Sequence, residues 1–343
     1  MNVLVVGGAG YIGSHCVREL LRDGHAPVVL DNLVFGHRQA IAKDVCFYQG
    51  DLGDGVLLEK IFSEHKIDAV MHFAAFAFVG ESVNDPLKYY ANNVEQTIRL
   101  LNALTVAGVS RFVFSSTCAT FGVPDVLPIT EKTPQFPINP YGNTKLAIER
   151  MLQDMGAAGL LSSVVFRYFN AAGASKDGQI GEDHYPETHL IPLAIEAASG
   201  KRDPLKVFGN DYPTKDGTSL RDYVHVEDLS RAHVAALGNM SPTSGYEDYN
   251  LGTGKPFSIL EVLDSINRVS GLPVPHEIAE RREGDPPALY ADSSKARMKL
   301  GWVPQYTEID SIVETAWQWH LLRPRGYDSD VNSQDIANNS KES

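Results

Sequence analysis

Tyr141 and Lys145, separated by Gly142-Asn143-Thr144, are the pair in this chain best suited to proton chemistry. Residues four apart share one face of a helix, so a phenol and an ammonium would sit side by side. A neighbouring cation lowers a phenol's pKa and makes it a usable base. Upstream, Ser115-Ser116-Thr117 closes the apolar run Phe112-Val113-Phe114 and would deliver hydroxyls to the same end of a sheet. A threonine hydroxyl, a phenol and an amine converging beside a hydride acceptor make a relay for oxidising an alcohol to a ketone, Tyr141 taking the proton. Each piece also has a plainer reading, as a strand end or a surface pair on a helix. Their joint order behind a glycine turn near the start of the chain favours the chemical one.

That turn follows the apolar run Val3-Leu4-Val5-Val6 and reads Gly7-Gly8-Ala9-Gly10-Tyr11-Ile12-Gly13. Glycines at 8, 10 and 13 satisfy the dinucleotide fingerprint, and those at 7, 10 and 13 its shorter-turn variant. Such glycines let backbone approach a pyrophosphate, whose charge sits at the positive end of the following helix. Asp31 ends the next apolar run, where a carboxylate accepts hydrogen bonds from ribose hydroxyls and repels a 2′-phosphate, favouring NAD over NADP. Asp51, in Gly50-Asp51-Leu52, is a weaker candidate for the adenine amino group.

The elements that must position these groups alternate along the first half. Apolar runs at Val28–Asp31, Val45–Gln49, Ala69–Phe73, Arg111–Ser115 and Ser163–Arg167 are separated by helical stretches, which predicts an α/β doubly wound (Rossmann) parallel sheet. Helices are expected over Tyr11–Asp23, closed by Gly24, and as one long element from about Asp85 to Ala107, ended by Gly108. After Asn170 the texture turns to loops rich in Gly, Pro, Asp and His, with a helical piece at Ile191–Ser199. We therefore expect a cofactor-binding domain over 1–169 and a smaller, discontinuous α/β substrate-binding domain over 170–326. A βα unit near 224–238 should rejoin the sheet, and a tail over 327–343, poor in apolar residues, is expected to be disordered.

The chain has 343 residues, 43% of them hydrophobic, enough for one large or two modest domains. No apolar run approaches the roughly 20 residues of a membrane span and no signal-peptide pattern precedes the first strand, so a cytoplasmic location is expected and no membrane partner. Cys16, Cys46 and Cys118 lack paired or metal-type spacing; no metal is expected. A formal charge of −13 argues against nucleic acid as a partner.

These motifs, with Val79–Val83 (VGESV), Arg167–Asn170 (RYFN), Phe208–Gly217 (FGNDYPTKDG), Arg221–His225 (RDYVH) and Arg281–Asp285 (RREGD), resemble the extended short-chain dehydrogenase/reductase family, in its sugar-nucleotide epimerase branch, over about Met1 to Gly326. The resemblance implies reversible 4-epimerisation of UDP-glucose and UDP-galactose through a 4-keto sugar, with tightly bound NAD and no net redox, in a homodimer packed through the helices near Asp85–Ala107 and Pro140–Gly156. It makes Thr117 and Tyr141 the substrate-facing pair and Lys145 their helper. For the cofactor it implies Gly7, Gly10, Tyr11, Ile12, Gly13, Asp31, Asn32, Asp51 and Leu52, then Phe73, Ala74, Ala75, Asn92, Ser115, Tyr141, Lys145 and Tyr168. For the UDP-sugar it implies Thr117, Asn170, His189, Leu190, Val207 and Phe208, with Arg221, Tyr223, Arg282, Asp285 and Leu289. Forked arginines suit a diphosphate.

Departures from that pattern are Ala77, where many relatives carry lysine, Gln96 in place of glycine, and His189 near an asparagine of some relatives. Leu289 stands where residue size is linked to acceptance of N-acetylated sugars. A 4,6-dehydratase would carry an Asp-Glu pair after Thr117, whereas this chain has Cys118-Ala119. A 4-epimerase of a UDP-N-acetylhexosamine, uronate or pentose shares nearly every motif. A non-enzymatic NAD sensor would be expected to lose Tyr141 or Lys145, and both are present.

Overall fold

The computed structural model describes residues 1–282 and 285–330. In chain order the strands are β1 (Asn2–Val6), β2 (Ala26–Asp31), β3 (Cys46–Gln49), β4 (Ala69–His72), β5 (Arg111–Thr117), β6 (Ser162–Tyr168), β7 (Asn170–Ala172), β8 (Leu205–Phe208), β9 (Leu220–Arg221), β10 (Tyr223–His225), β11 (Tyr246–Leu251), β12 (Phe257–Ser258), β13 (His276–Ala279) and β14 (Ala288–Leu289). The helices are α1 (Tyr11–Arg22), α2 (Gly55–Glu64), α3 (Val79–Asn84), α4 (Pro86–Tyr89), α5 (Gln96–Val106), α6 (Pro140–Ala157), α7 (Leu190–Ala198), α8 (Val226–Asn239), α9 (Ile259–Ser270), α10 (Ser294–Leu300) and α11 (Ile309–Leu322).

Seven strands form one parallel sheet in the order β11-β6-β5-β4-β1-β2-β3. The apolar run in β1 explains this: a parallel strand covered on both faces must be hydrophobic at every position. Val3 and Val5 point into one core, shared with Val17 and Leu20 of α1 and Leu229 and Ala236 of α8. Leu4 and Val6 point into the other, with Leu58 of α2, Leu104 of α5 and Leu152 of α6. Strand order reverses at β1, between β2 and β4, which opens a ligand crevice at their carboxyl ends. A third core, from α7, α9, α11, β8 and β10, organises the second half.

Three expectations change. The βα unit near 224–238 reaches the sheet by another strand: β10 pairs with β7, while α8 packs on α1 and the chain enters the sheet at β11, beside β6. The single helix expected over 85–107 starts as α4, passes through a π-helical stretch at Tyr90–Glu95 and continues as α5. The disorder expected from residue 327 does not begin there, since Tyr327 is buried against Trp319 and its backbone N–H donates to Asp183. Residues 331–343 of that tail lie outside the described residues.

Candidate active site

One cavity of about 450 Å³ runs along the carboxyl edge of the sheet and takes walls from both halves of the chain. Gly7 leaves β1 with φ +76°, and a Cβ there would stand 2.5 Å from the Ala74 backbone nitrogen. A Cβ at Gly13 would collide with the Gly7 carbonyl, so only glycine lets α1 pack this tightly on the turn. Gly10 caps α1 with no side-chain partner, and a Cβ there would meet nothing nearer than the Gly7 oxygen at 3.4 Å. The positive end of α1 thus faces open cavity, the cradle a pyrophosphate requires.

Asp31 is buried at the end of β2, accepting from the N–H groups of Ala9 and Leu33 at 2.8 Å each. It holds Leu33 in a left-handed conformation, φ 61°. Burial raises the Asp31 pKa above the ordinary carboxylate value, against the pull of its backbone donors. Tyr11, Ile12, Asn32, Leu52, Phe73, Ala74, Ala75, Asn92, Ser115 and Tyr168 join this wall, as does Ala77. Asp51 is exposed outside it, accepting from Asn32 at 3.4 Å. The glycine cradle, the carboxylate and the length of the cleft fit a dinucleotide.

Tyr141 is the second residue of α6, whose start is fixed twice: Asn139 accepts from the Gly142 N–H at 2.8 Å, and Pro140 sits at the first helical position. At Gly142 a Cβ would stand 2.7 Å from the Ala119 carbonyl, so α6 lies directly against the turn after Thr117. Tyr141 and Thr117 thereby face the cavity together. The expected lowering of the phenol pKa is not what the packing gives. Burial pushes Tyr141 up to about 12, opposed by hydrogen bonding to Thr117. Lys145 does not offset this: its buried Nζ donates to the Ser115 carbonyl at 2.7 Å and stands over Phe114. Burial lowers its own pKa to about 7, with Glu149 pulling it upward.

The positioning groups were not visible as motifs. Asn93, buried in the π-helical stretch, accepts from the Phe76 N–H at 2.9 Å and donates to the Phe76 carbonyl at 3.0 Å and to Thr144 at 3.1 Å. It ties the cofactor-side loop to the helix bearing Tyr141. Below Lys145, Glu149 pairs with Arg167 of β6, both fully buried, and Arg167 also reaches Asp248 of β11 at 2.9 Å. Asp222, fully buried, accepts from Thr253, Gly254 and Ala291, fixing the strand pair that presents Arg221 and Leu289.

Asn170, His189, Arg221 and Leu289 line the far end of the cavity. Arg221 donates to the Pro286 carbonyl at 3.0 Å and lies 3.6 Å from Asp285. Arg282 stacks 3.9 Å above the Phe208 ring. Leu190, Val207 and Tyr223 pack in or against the third core and are not part of the wall. Phe35 meets Phe76 and Phe78 edge to face across the cofactor end, an aromatic set that no sequence motif singled out.

Residues 3–252 match the model of the NAD dependent epimerase/dehydratase family. A UDP-glucose 4-epimerase of Lactobacillus helveticus is 52% identical over 96% of this chain and 99% of its own length. A crystal structure of a UDP-glucose 4-epimerase superposes with a TM-score of 0.93 at 49% identity, over 95% of this chain and 99% of that one. The Bifidobacterium longum enzyme of the same name, solved with NAD+ and UDP, gives 0.91 at 40% identity, over 95% and 100%. Among the described residues no helix is long and apolar enough to cross a membrane.

Proposed function

The chain belongs to the NAD dependent epimerase/dehydratase family, and we propose that it interconverts UDP-glucose and UDP-galactose by reversible 4-epimerisation through a 4-keto sugar, with no net redox change. The observation that carries this reading is the single cavity in which Tyr141 and Thr117 stand between a glycine cradle and an arginine-bearing wall. NAD bound in the cradle supplies a reversible hydride acceptor. The Gly7–Gly13 turn would hold its pyrophosphate and Asp31 its adenosine ribose.

Tyr141 removes the proton of the sugar 4-hydroxyl and returns it, with Thr117 steering that hydroxyl. Burial pushes the phenol up to about 12, and the positive charge that NAD would carry beside it favours release of its proton. Lys145 orients the site from beneath through the Ser115 carbonyl. Arg221 and Arg282, with Asn170, Phe208, His189 and Asp285, would anchor UDP. Tight anchoring at the nucleotide leaves the hexose free to present its opposite face, as the reaction requires. We place a homodimer interface on the faces of α3–α5 and α6, supported by exposed Val83, Leu87, Tyr90 and Ile98, and the protein in the cytoplasm.

The test is incubation of purified protein with UDP-galactose and no added reductant. UDP-glucose should appear without NADH accumulating. Sustained NADH formation, or a 6-deoxy-4-keto product, rejects the proposal.

A further inference from the structure

Between the main cavity and a smaller one of about 160 Å³ stands a partition built from Glu182, His184, Glu187 and His189. One ligand-type atom from each lies within 4.8 Å of all the others. His189 Nδ1 is 2.9 Å from Glu182 Oε1 and 2.9 Å from Glu187 Oε1. His184 Nδ1 is 3.4 Å from Glu182 Oε1 and 3.6 Å from Glu187 Oε2. Ligands about 2.0–2.2 Å from a tetrahedral zinc-class ion are separated by about 3.3–3.6 Å, close to this spread.

A cluster of this kind is often only an ion-pair network, and a second observation weighs against that here. Glu182 Oε1 and His184 Nδ1 are shut off from solvent and make no hydrogen bond in a satisfactory direction, although the Glu182 side chain is only 7% exposed. His189 Nδ1 is hydrogen-bonded to Glu187 Oε1 at 2.9 Å, which leaves Glu182 Oε1 and His184 Nδ1 as the two buried atoms of the cluster without such a partner. Buried polar atoms are rarely left in that condition without a missing partner. Glu187 Oε1 accepts from the Thr188 and His189 N–H groups at 2.6 and 2.8 Å, which fixes the orientation of the carboxylate and leaves Oε2 toward His184.

We infer that Glu182, His184, Glu187 and His189 form a binding site for one divalent transition-metal ion of the zinc class. Two imidazoles and two carboxylates suit zinc or cobalt better than magnesium or calcium, which prefer oxygen alone. Two carboxylates and two neutral imidazoles balance the charge of the ion. Four protein ligands make the site structural: the ion would pin the 182–189 segment, a wall of the main cavity, to the start of α7. The smaller cavity, which Glu182, His184 and Glu187 also line, provides an entry path.

The test uses tag-free full-length protein, stripped with a chelator and titrated with Co²⁺ and then Zn²⁺. One equivalent of Co²⁺ should give the strong visible absorption of tetrahedral coordination, without a thiolate-to-metal band, and Zn²⁺ should displace it. Calorimetry should show Zn²⁺ affinity falling at least about a hundredfold in Glu182→Gln and His184→Gln. His189→Asn, at the exposed corner, should lose affinity too and guards against a folding defect in the buried variants. Wild-type protein that binds neither ion below millimolar, or variants that bind as tightly as wild type, would overturn the inference. Because none of these readouts involves turnover, they stand or fall apart from the proposed reaction.

Discussion

Replacing Glu149 by glutamine tests whether the helix carrying Tyr141 is held by a buried charge pair. Glu149 accepts from Arg167 Nε at 3.1 and 3.0 Å and from Nη2 at 2.7 Å, and also from Gln135 at 2.9 Å and the Ser116 hydroxyl. Glutamine keeps the volume but turns one acceptor into a donor facing Arg167 and leaves a buried guanidinium short of charge. Breaking a buried pair from one side costs about 3–5 kcal/mol. Arg167 retains Asp248 at 2.9 Å, which places the expected loss near the lower bound, about 3 kcal/mol. With a urea slope of about 3 kcal/mol/M, the midpoint should fall by about 1 M at unchanged slope. Glu149 also raises the pKa of Lys145, so the variant's lysine should deprotonate at lower pH and the alkaline limb of the turnover profile should move down with it. A loss under about 1 kcal/mol would refute the claim that this pair anchors α6.

Tyr141→Phe should lower turnover about a thousandfold or more with UDP binding nearly intact, measured by steady-state kinetics beside calorimetry, since the phenol acts mainly in the transition state. Lys145, with its folded pKa lowered to about 7, holds fewer protons than in the unfolded chain above that pH. Wild-type stability should therefore rise with pH relative to Lys145→Met between pH 7 and about 8.5, by at most about 1.4 kcal/mol per pH unit; parallel curves would exclude the shift. Asn93→Ala should cost about 2–4 kcal/mol in denaturant melts, because both backbone polar groups of Phe76 lose their partner. Gly7→Ala must fit a side chain at φ +76° and against the Ala74 nitrogen, and should lose at least about 2 kcal/mol together with measurable NAD retention.

What was legible in the sequence was what is local. The glycine turn, Asp31 at a strand end and the Tyr141–Lys145 spacing are each written within a few residues, and every one stands on its expected element. The strand β11 was not legible, because Tyr246-Glu247-Asp248-Tyr249 reads as polar surface. Its acids are neutralised only after folding, by Arg167 and Lys295 from distant segments. Asn93 likewise looks like any helix-surface amide until it meets Phe76 and Thr144. The phenol pKa is the instructive failure, because helical spacing correctly put Tyr141 and Lys145 on one helix yet gave the wrong sign. A cation lowers a phenol only if it is aimed at it, and Lys145 is committed to the Ser115 carbonyl while the packing around Tyr141 penalises its charged form. The segments beside and beneath α6, from the turn after Thr117 to β6 and β11, come from separate parts of the chain. A motif therefore specifies which groups meet, and the tertiary packing decides which of them is charged when they do.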